Sequence, residues 1–99
     1  MLDDFLEQAI QMGADRVEIE YKDGVEHVFA FRGPIGFGIA SVDYDQRDPL
    51  FRDLENLKKR KKATLGGRPC RLAFSKYESF GEWVYVIDID QSKKPKKKP

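Results

Sequence analysis

RVEIEYKDGVEHVFAFR, residues 16–32, decides the fold. Val17, Ile19 and Tyr21 alternate with Glu18, Glu20 and Lys22, the two-residue period of a half-buried strand. Asp23-Gly24 follows as a two-residue hairpin, whose backbone twist needs positive φ at both central positions. The return strand sets Val25, His27, Phe29 and Phe31 on one face and Val28 and Ala30 on the other. Apolar residues on both faces place it inside a sheet rather than at an edge.

Working outward, residues 3–12 read as an amphipathic helix. Leu2, Phe5, Leu6, Ala9 and Ile10 recur at helical spacing, Asp3 or Asp4 is the expected cap, and Gly13 is the left-handed stop. On the other side GPIGFGIASV turns at Gly33-Pro34 into a short strand over residues 36–42. Asp48-Pro49 is expected to open a second helix, with Asp as cap and Pro in the first turn. Leu50, Leu54, Leu57 and Lys61 form its stripe, and Gly66-Gly67 is expected to end it. Two further strands follow: RPCRLAFSKY, with Leu72 and Phe74 on one face, and EWVYVIDID, with Trp83, Tyr85, Ile87 and Ile89 opposite Val84 and Val86. The order α-β-β-β-α-β-β predicts a two-layer α+β domain over residues 1–90, two helices covering one face of a mostly antiparallel sheet of four to five strands. Residues 91–99, ending SKKPKKKP, have nothing apolar to bury and are expected to form a disordered Lys/Pro-rich tail.

Ninety-nine residues of which 40% are apolar suit one globular domain. No apolar run approaches the roughly 20 residues of a membrane span, and MLDDFLEQ is acidic where a signal peptide is basic. A cytoplasmic protein is expected, and the single cysteine, Cys70, agrees with a reducing compartment. The net charge of +1 hides a split: five lysines lie in the last eight residues, and subtracting them leaves −4 for residues 1–91.

In this order the motifs resemble the domain that precedes the RecA-like motor in type II secretion and type IV pilus assembly ATPases. There a helix ends in Gly-Ala-Ser-Asp before a strand x-His-Ile-Glu-Pro. Here QAIQMGADRVEIEYKDG matches at Gly13, Ala14, Asp15, Ile19 and Glu20, and VFAFRG matches the arginine-bearing return strand at Arg32 and Gly33. Gly67-Arg68 and Gly81-Glu82 fall where that family has Gln-Asp-Gly-Arg and Gly-Glu. The serine, histidine and proline of the first motif are absent here, and so are the Gln and Asp before Gly-Arg and the motor itself. The resemblance spans about residues 6–89. It implies a non-catalytic interaction module with a protein partner or homo-oligomer, and Arg32 and Arg68 as candidates to reach a phosphate.

The chemistry-bearing residues divide into few groups. Lys58, Lys59, Arg60, Lys61 and Lys62 fan around the end of the second helix, where the helix dipole already favours cations. Together with Arg32, Arg68 and the tail they form the candidate phosphate or nucleic-acid surface. The glycines of Gly33-Pro-Ile-Gly36-Phe-Gly38 lack the spacing of a phosphate loop and read as a turn into a close-packed strand. Cys70 and His27 are the one nucleophile–base pair, without an orienting third group. One His and one Cys do not furnish a closed zinc site, and no cofactor is implied. Asp88 and Asp90 share a strand face as solubilising carboxylates. Tyr77, Phe80, Trp83 and Tyr85 cluster around the last hairpin, a candidate partner-binding surface because Trp and Tyr are enriched at interfaces. A protein-assembly module is the leading expectation, with nucleic-acid or nucleotide-phosphate binding as the alternative.

Overall fold

The hairpin expected from residues 16–32 is present: β1 (Arg16–Lys22) and β2 (Val25–Arg32) pair antiparallel, with Ile19 opposite Val28. Asp23 and Gly24 turn at φ 55° and 80°. The computed structural model describes residues 1–91, and the tail beyond Gln91 lies outside them. Before the hairpin comes α1 (Leu2–Gln11), and after it β3 (Ile35–Asp43), which leads through a 3-10 turn into α2 (Arg47–Arg60). The chain closes with β4 (Lys62–Leu65), β5 (Arg68–Ser79) and β6 (Glu82–Asp90). All six described strands join one antiparallel sheet in the order β3-β2-β1-β6-β5-β4.

The α+β class and the interior position of β2 stand. The count of four to five strands is corrected to six, because β4 occupies residues assigned to the second helix. That helix stops at Arg60, where Lys61 takes the left-handed conformation at φ 58° and its N–H returns to the Leu57 carbonyl. Gly66-Gly67 is therefore a hairpin turn between β4 and β5, not a helix end. The helix also begins earlier than Asp48. Gln46 is the residue before its first turn, and no side chain caps it.

Both helices lie on one face of the sheet. Leu2, Leu6 and Ala9 of α1 and Leu50, Leu54 and Leu57 of α2 pack on Val17, Ile19, Val28, Ala30, Leu72, Ile87 and Ile89, all buried. Truncating one such leucine to alanine costs about 2–5 kcal/mol by the transfer and cavity terms. β2 presents Val28 and Ala30 inward and its bulkier Phe29 and Phe31 outward, since helices pressed on a sheet need small residues beneath them. α1 touches both outer strands, so the sheet curls around it.

The start of α1 is not capped by Asp3 or Asp4. Asp53 of α2 does that work: its Oδ2 accepts the Leu2 N–H at 3.0 Å and lies 3.1 Å from the Met1 amino group. Burial pushes the Asp53 carboxyl up, but these donors outweigh it and the net direction is down. The far end of α1 closes as a Schellman motif, with the Gly13 N–H on the Ile10 carbonyl and the Ala14 N–H on the Ala9 carbonyl. Asp15 then links the two central hairpins, donating to the Phe31 carbonyl and accepting from the Ile89 N–H.

Candidate functional site at the hairpin end of the sheet

The β5–β6 hairpin turns at Phe80-Gly81, with φ 51° and 82°. That is the backbone of Asp23-Gly24 and Gly66-Gly67, but phenylalanine is poorly suited to it: a Cβ in this region costs roughly 1–2 kcal/mol. The Phe80 ring recovers nothing by burial, being fully exposed at 102% of its reference area. Beside it lies a cavity lined by Glu20, Tyr21, Lys22, Asp23, Ser79 and Glu82, which joins the two hairpin turns at this end. An apolar wedge thus stands among four carboxylates, those of Glu20, Asp23, Glu78 and Glu82, with Lys22 and Lys76 as the nearby cations.

The aromatic residues named from sequence fall on different sides of this hairpin. Trp83 lies on the helix side, half exposed, with the Lys76 Nζ 4.5 Å above its ring. Tyr77 lies on the open side and donates its hydroxyl to Glu18 Oε1 at 2.9 Å. Burial first, and then that bond to a carboxylate, pushes the Tyr77 phenol up. Glu18, buried on the open face, is also held by Arg16 at 3.1 Å, and Arg16 in turn lies over the Phe31 ring. Tyr85 packs edge-on against Phe51 of α2 at 5.2 Å and belongs to the core rather than to a surface.

Beneath Trp83 is a charged group that the sequence reading missed. Glu26 is buried at 1% exposure, and Arg47 Nε sits 3.3 Å from its Oε2. The guanidinium lies over the rings of Tyr44 at 5.0 Å, Phe51 at 5.2 Å and Tyr21 at 6.0 Å. The two ionic atoms attract but are not aligned as a hydrogen bond, and neither has another protein partner. A half-open cavity of about 140 Å³ adjoins them, lined by Tyr21, Tyr44, Glu82, Trp83 and Tyr85, enough for a bridging water. Burial pushes the Glu26 carboxyl up, against the pull of Arg47; Glu82 adds to the rise and His27 opposes it. The signal was legible: Glu26 is in phase with Val28 and Ala30, so a carboxylate on the buried side demanded a counterion.

At the opposite end the cations separate. Lys58, Lys59 and Arg60 are exposed on the last turn of α2, and Lys58 reaches Glu55 at 3.5 Å. Arg60 and Lys62 line an open cleft of about 660 Å³ with Ala63, Pro69 and Cys70. Arg71 of β5 joins them, opposite Lys62 of β4, a neighbour hidden while Lys62 was read as part of the helix. Arg68 opens β5 without lining the cleft, and Lys61 serves to end the helix. Arg32 ends β2, three strands away from β5, or roughly 14 Å at ordinary strand spacing.

Cys70 and His27 lie on opposite faces of the sheet, on β5 and β2 with two strands between. The buried Cys70 thiol is pushed up by desolvation, which makes it a poorer nucleophile. Gly36 of β3 has a packing role: a Cβ there would stand 2.7 Å from the Phe31 ring, which lies across it. By register Asp88 is opposite Arg16 and Asp90 opposite Arg71. Among the described residues no helix is long and apolar enough to cross a membrane. No known protein-family model matches this sequence, and no curated protein is detectably related to it.

Proposed function

We propose that the chain is a non-catalytic protein-assembly module of the cytoplasm that docks through the hairpin end of its sheet. The observation that carries the reading is Phe80, fully exposed and in a backbone conformation that disfavours it. Natural hairpins choose Asn, Asp or Gly there. An aromatic residue that strains its backbone and gains no burial inside its own fold has its use outside it. Trp83 and Tyr77 flank it, each about half exposed, and together they make the aromatic anchor that interface hot spots favour. The surrounding carboxylates fit a partner whose pocket is apolar and rimmed by Lys or Arg. The motifs at Gly13, Ala14, Asp15, Ile19 and Glu20 support a role like that of the secretion-ATPase pre-motor domain.

The test is site-specific photo-crosslinking in cells, with the crosslinking residue at position 80 or, as a control, at exposed Asn56 on α2. A discrete adduct from position 80 alone, lost on a Trp83→Ala background, supports the reading. Equal labelling from both positions removes it. A second reading, phosphate or nucleic-acid binding, rests on Arg60, Lys62 and Arg71 around one cleft. It predicts salt-sensitive NMR shifts at those residues on adding ATP, a short DNA or a short RNA. A silent spectrum eliminates it.

A further inference from the structure

Beneath Trp83 the fold leaves more room than its own ion pair uses. Tyr21 of β1, Tyr44 of the 3-10 turn, and Trp83 and Tyr85 of β6 bring their rings to the half-open cavity there, and Glu26, Glu82 and Arg47 bring its charges. Its volume of about 140 Å³ is several times the roughly 30 Å³ of one water, so a water bridging Glu26 and Arg47 leaves most of it for something else. The site is incomplete in one respect. Glu26 is 1% exposed, yet its Oε2 accepts no hydrogen bond, Arg47 Nε standing 3.3 Å away but out of line. A buried carboxylate oxygen in that position demands a donor.

The surroundings favour a cation as the bearer of that donor. Two carboxylates face one guanidinium in the lining, which leaves the cavity net negative. The rings of this corner already attract both kinds of basic head. Arg47 lies 5.0 Å and 6.0 Å from the Tyr44 and Tyr21 centroids, and Lys76 Nζ lies 4.5 Å from that of Trp83. An anion would meet both carboxylates. A hard metal ion takes about six to eight oxygens, and among the described residues no three His, Cys, Asp or Glu side chains are grouped to hold one. A second guanidinium would compete with Arg47 for the same ring faces, whereas an ammonium is compact and carries three donors on an apolar stem.

We propose that this cavity binds a primary alkylammonium group, as the head of a lysine side chain or of a small amine. Its N–H groups donate to Glu26 Oε2 and to Glu82, and its stem lies along Trp83 and Tyr85. The site goes beyond the hairpin docking proposed above and needs no docked partner. Amine binding is read on the chain alone, so its failure and the failure of the position-80 crosslink are separate results.

Titrating the full chain with n-butylammonium chloride at constant ionic strength, followed by NMR, tests this. Saturable shifts are expected at Tyr21, Glu26, Glu82 and the Trp83 indole, with half-saturation in the millimolar range. Tetramethylammonium has the charge but no N–H, and is expected to bind at least roughly threefold more weakly. The alcohol n-butanol has the stem but no charge and is expected to shift nothing. Glu26→Gln, Glu82→Gln and Trp83→Ala should each weaken binding about fivefold or more with circular dichroism unchanged. Glu55→Gln, which changes an exposed carboxylate of α2 outside the cavity, should not. A pentapeptide with one central lysine separates the two sources. Binding at least as tight as that of butylammonium assigns the site to a protein lysine, and weaker binding assigns it to a small amine. Absence of saturable shifts at these residues overturns the proposal, as does tetramethylammonium binding as tightly as butylammonium or a Glu82→Gln variant that binds unchanged.

Discussion

Replacing Phe80 by asparagine is expected to stabilise the protein. The ring at position 80 is fully exposed, so its removal forfeits no burial, while the backbone at φ 51° penalises a phenylalanine Cβ. The left-handed region costs an ordinary L-residue roughly 1–2 kcal/mol, and asparagine relieves much of that by local hydrogen bonding. Phe80→Asn also creates Asn-Gly, the favoured dipeptide for a turn whose two positions stand at φ 51° and 82°. The expected gain is about 1 kcal/mol, or roughly 4–8 °C in Tm for a domain of this size. Urea unfolding followed by far-UV circular dichroism reads it as a higher midpoint with an unchanged slope. The reciprocal exchange, Asp23→Phe, puts the same ring on the same backbone at φ 55° and should lose about as much. If Phe80→Asn lowers the midpoint, the ring makes stabilising contacts and the case for an outward-directed residue collapses. If it raises the midpoint and abolishes the position-dependent crosslinks, stability has been surrendered there for binding.

Three further changes probe the rest of the frame. The folded pKa of Glu26 lies above its ordinary value near 4.5, so its contribution is fully present below that value and is lost as pH rises through the folded pKa. Wild type should therefore gain stability relative to Glu26→Gln as pH falls from 7 toward that ordinary value, as measured by a series of urea midpoints across the range. Asp53→Ala removes the cap on α1 and should cost about 1 kcal/mol at pH 7. Since the folded Asp53 pKa is depressed, the cost should fade as pH falls through it, below the ordinary value of 3.8. Gly36→Ala drives a methyl to within 2.7 Å of the Phe31 ring and should cost about 1–3 kcal/mol. Phe31→Leu in the same chain should recover part of that loss, and a double-mutant cycle measures the coupling.

What was legible in the sequence follows from how local the cause is. The β1–β2 hairpin is written in seven alternating residues and an Asp-Gly turn, so it reads directly. β4 does not, because Lys62–Leu65 is short and polar and because Lys61 happens to extend the Leu50, Leu54, Leu57 stripe. The helix actually breaks through the backbone of Lys61, in a conformation that lysine does not advertise. The cap of α1 was sought in its own first turn, but it comes from Asp53, fifty-one positions along the chain. Arg71 lies on the foreseen β5, but its neighbour in the basic cleft, Lys62, lies on the missed β4. The aromatic cluster at the last hairpin was named correctly by position, but which rings face outward depends on the helix above them: Phe51 claims Tyr85 and leaves Phe80 and Trp83 exposed.

The middle of the sheet is a joint between the beginning and the end of the folded chain. β1 and β6 lie side by side there, with Glu20 opposite Val84, whereas every other neighbouring pair is joined by a short turn or follows directly in sequence. Each half-sheet, β1–β3 and β4–β6, can form by local zipping, yet each keeps a bare central strand until the other arrives. Joining them closes a loop of more than sixty residues, the slow and costly step for a chain this small. A nascent chain holding only the first half therefore carries an unmatched strand, β1, whose partner β6 is synthesised more than sixty residues later. A polypeptide cut within Tyr44–Gln46 should yield two fragments that are each poorly ordered alone and that assemble when mixed.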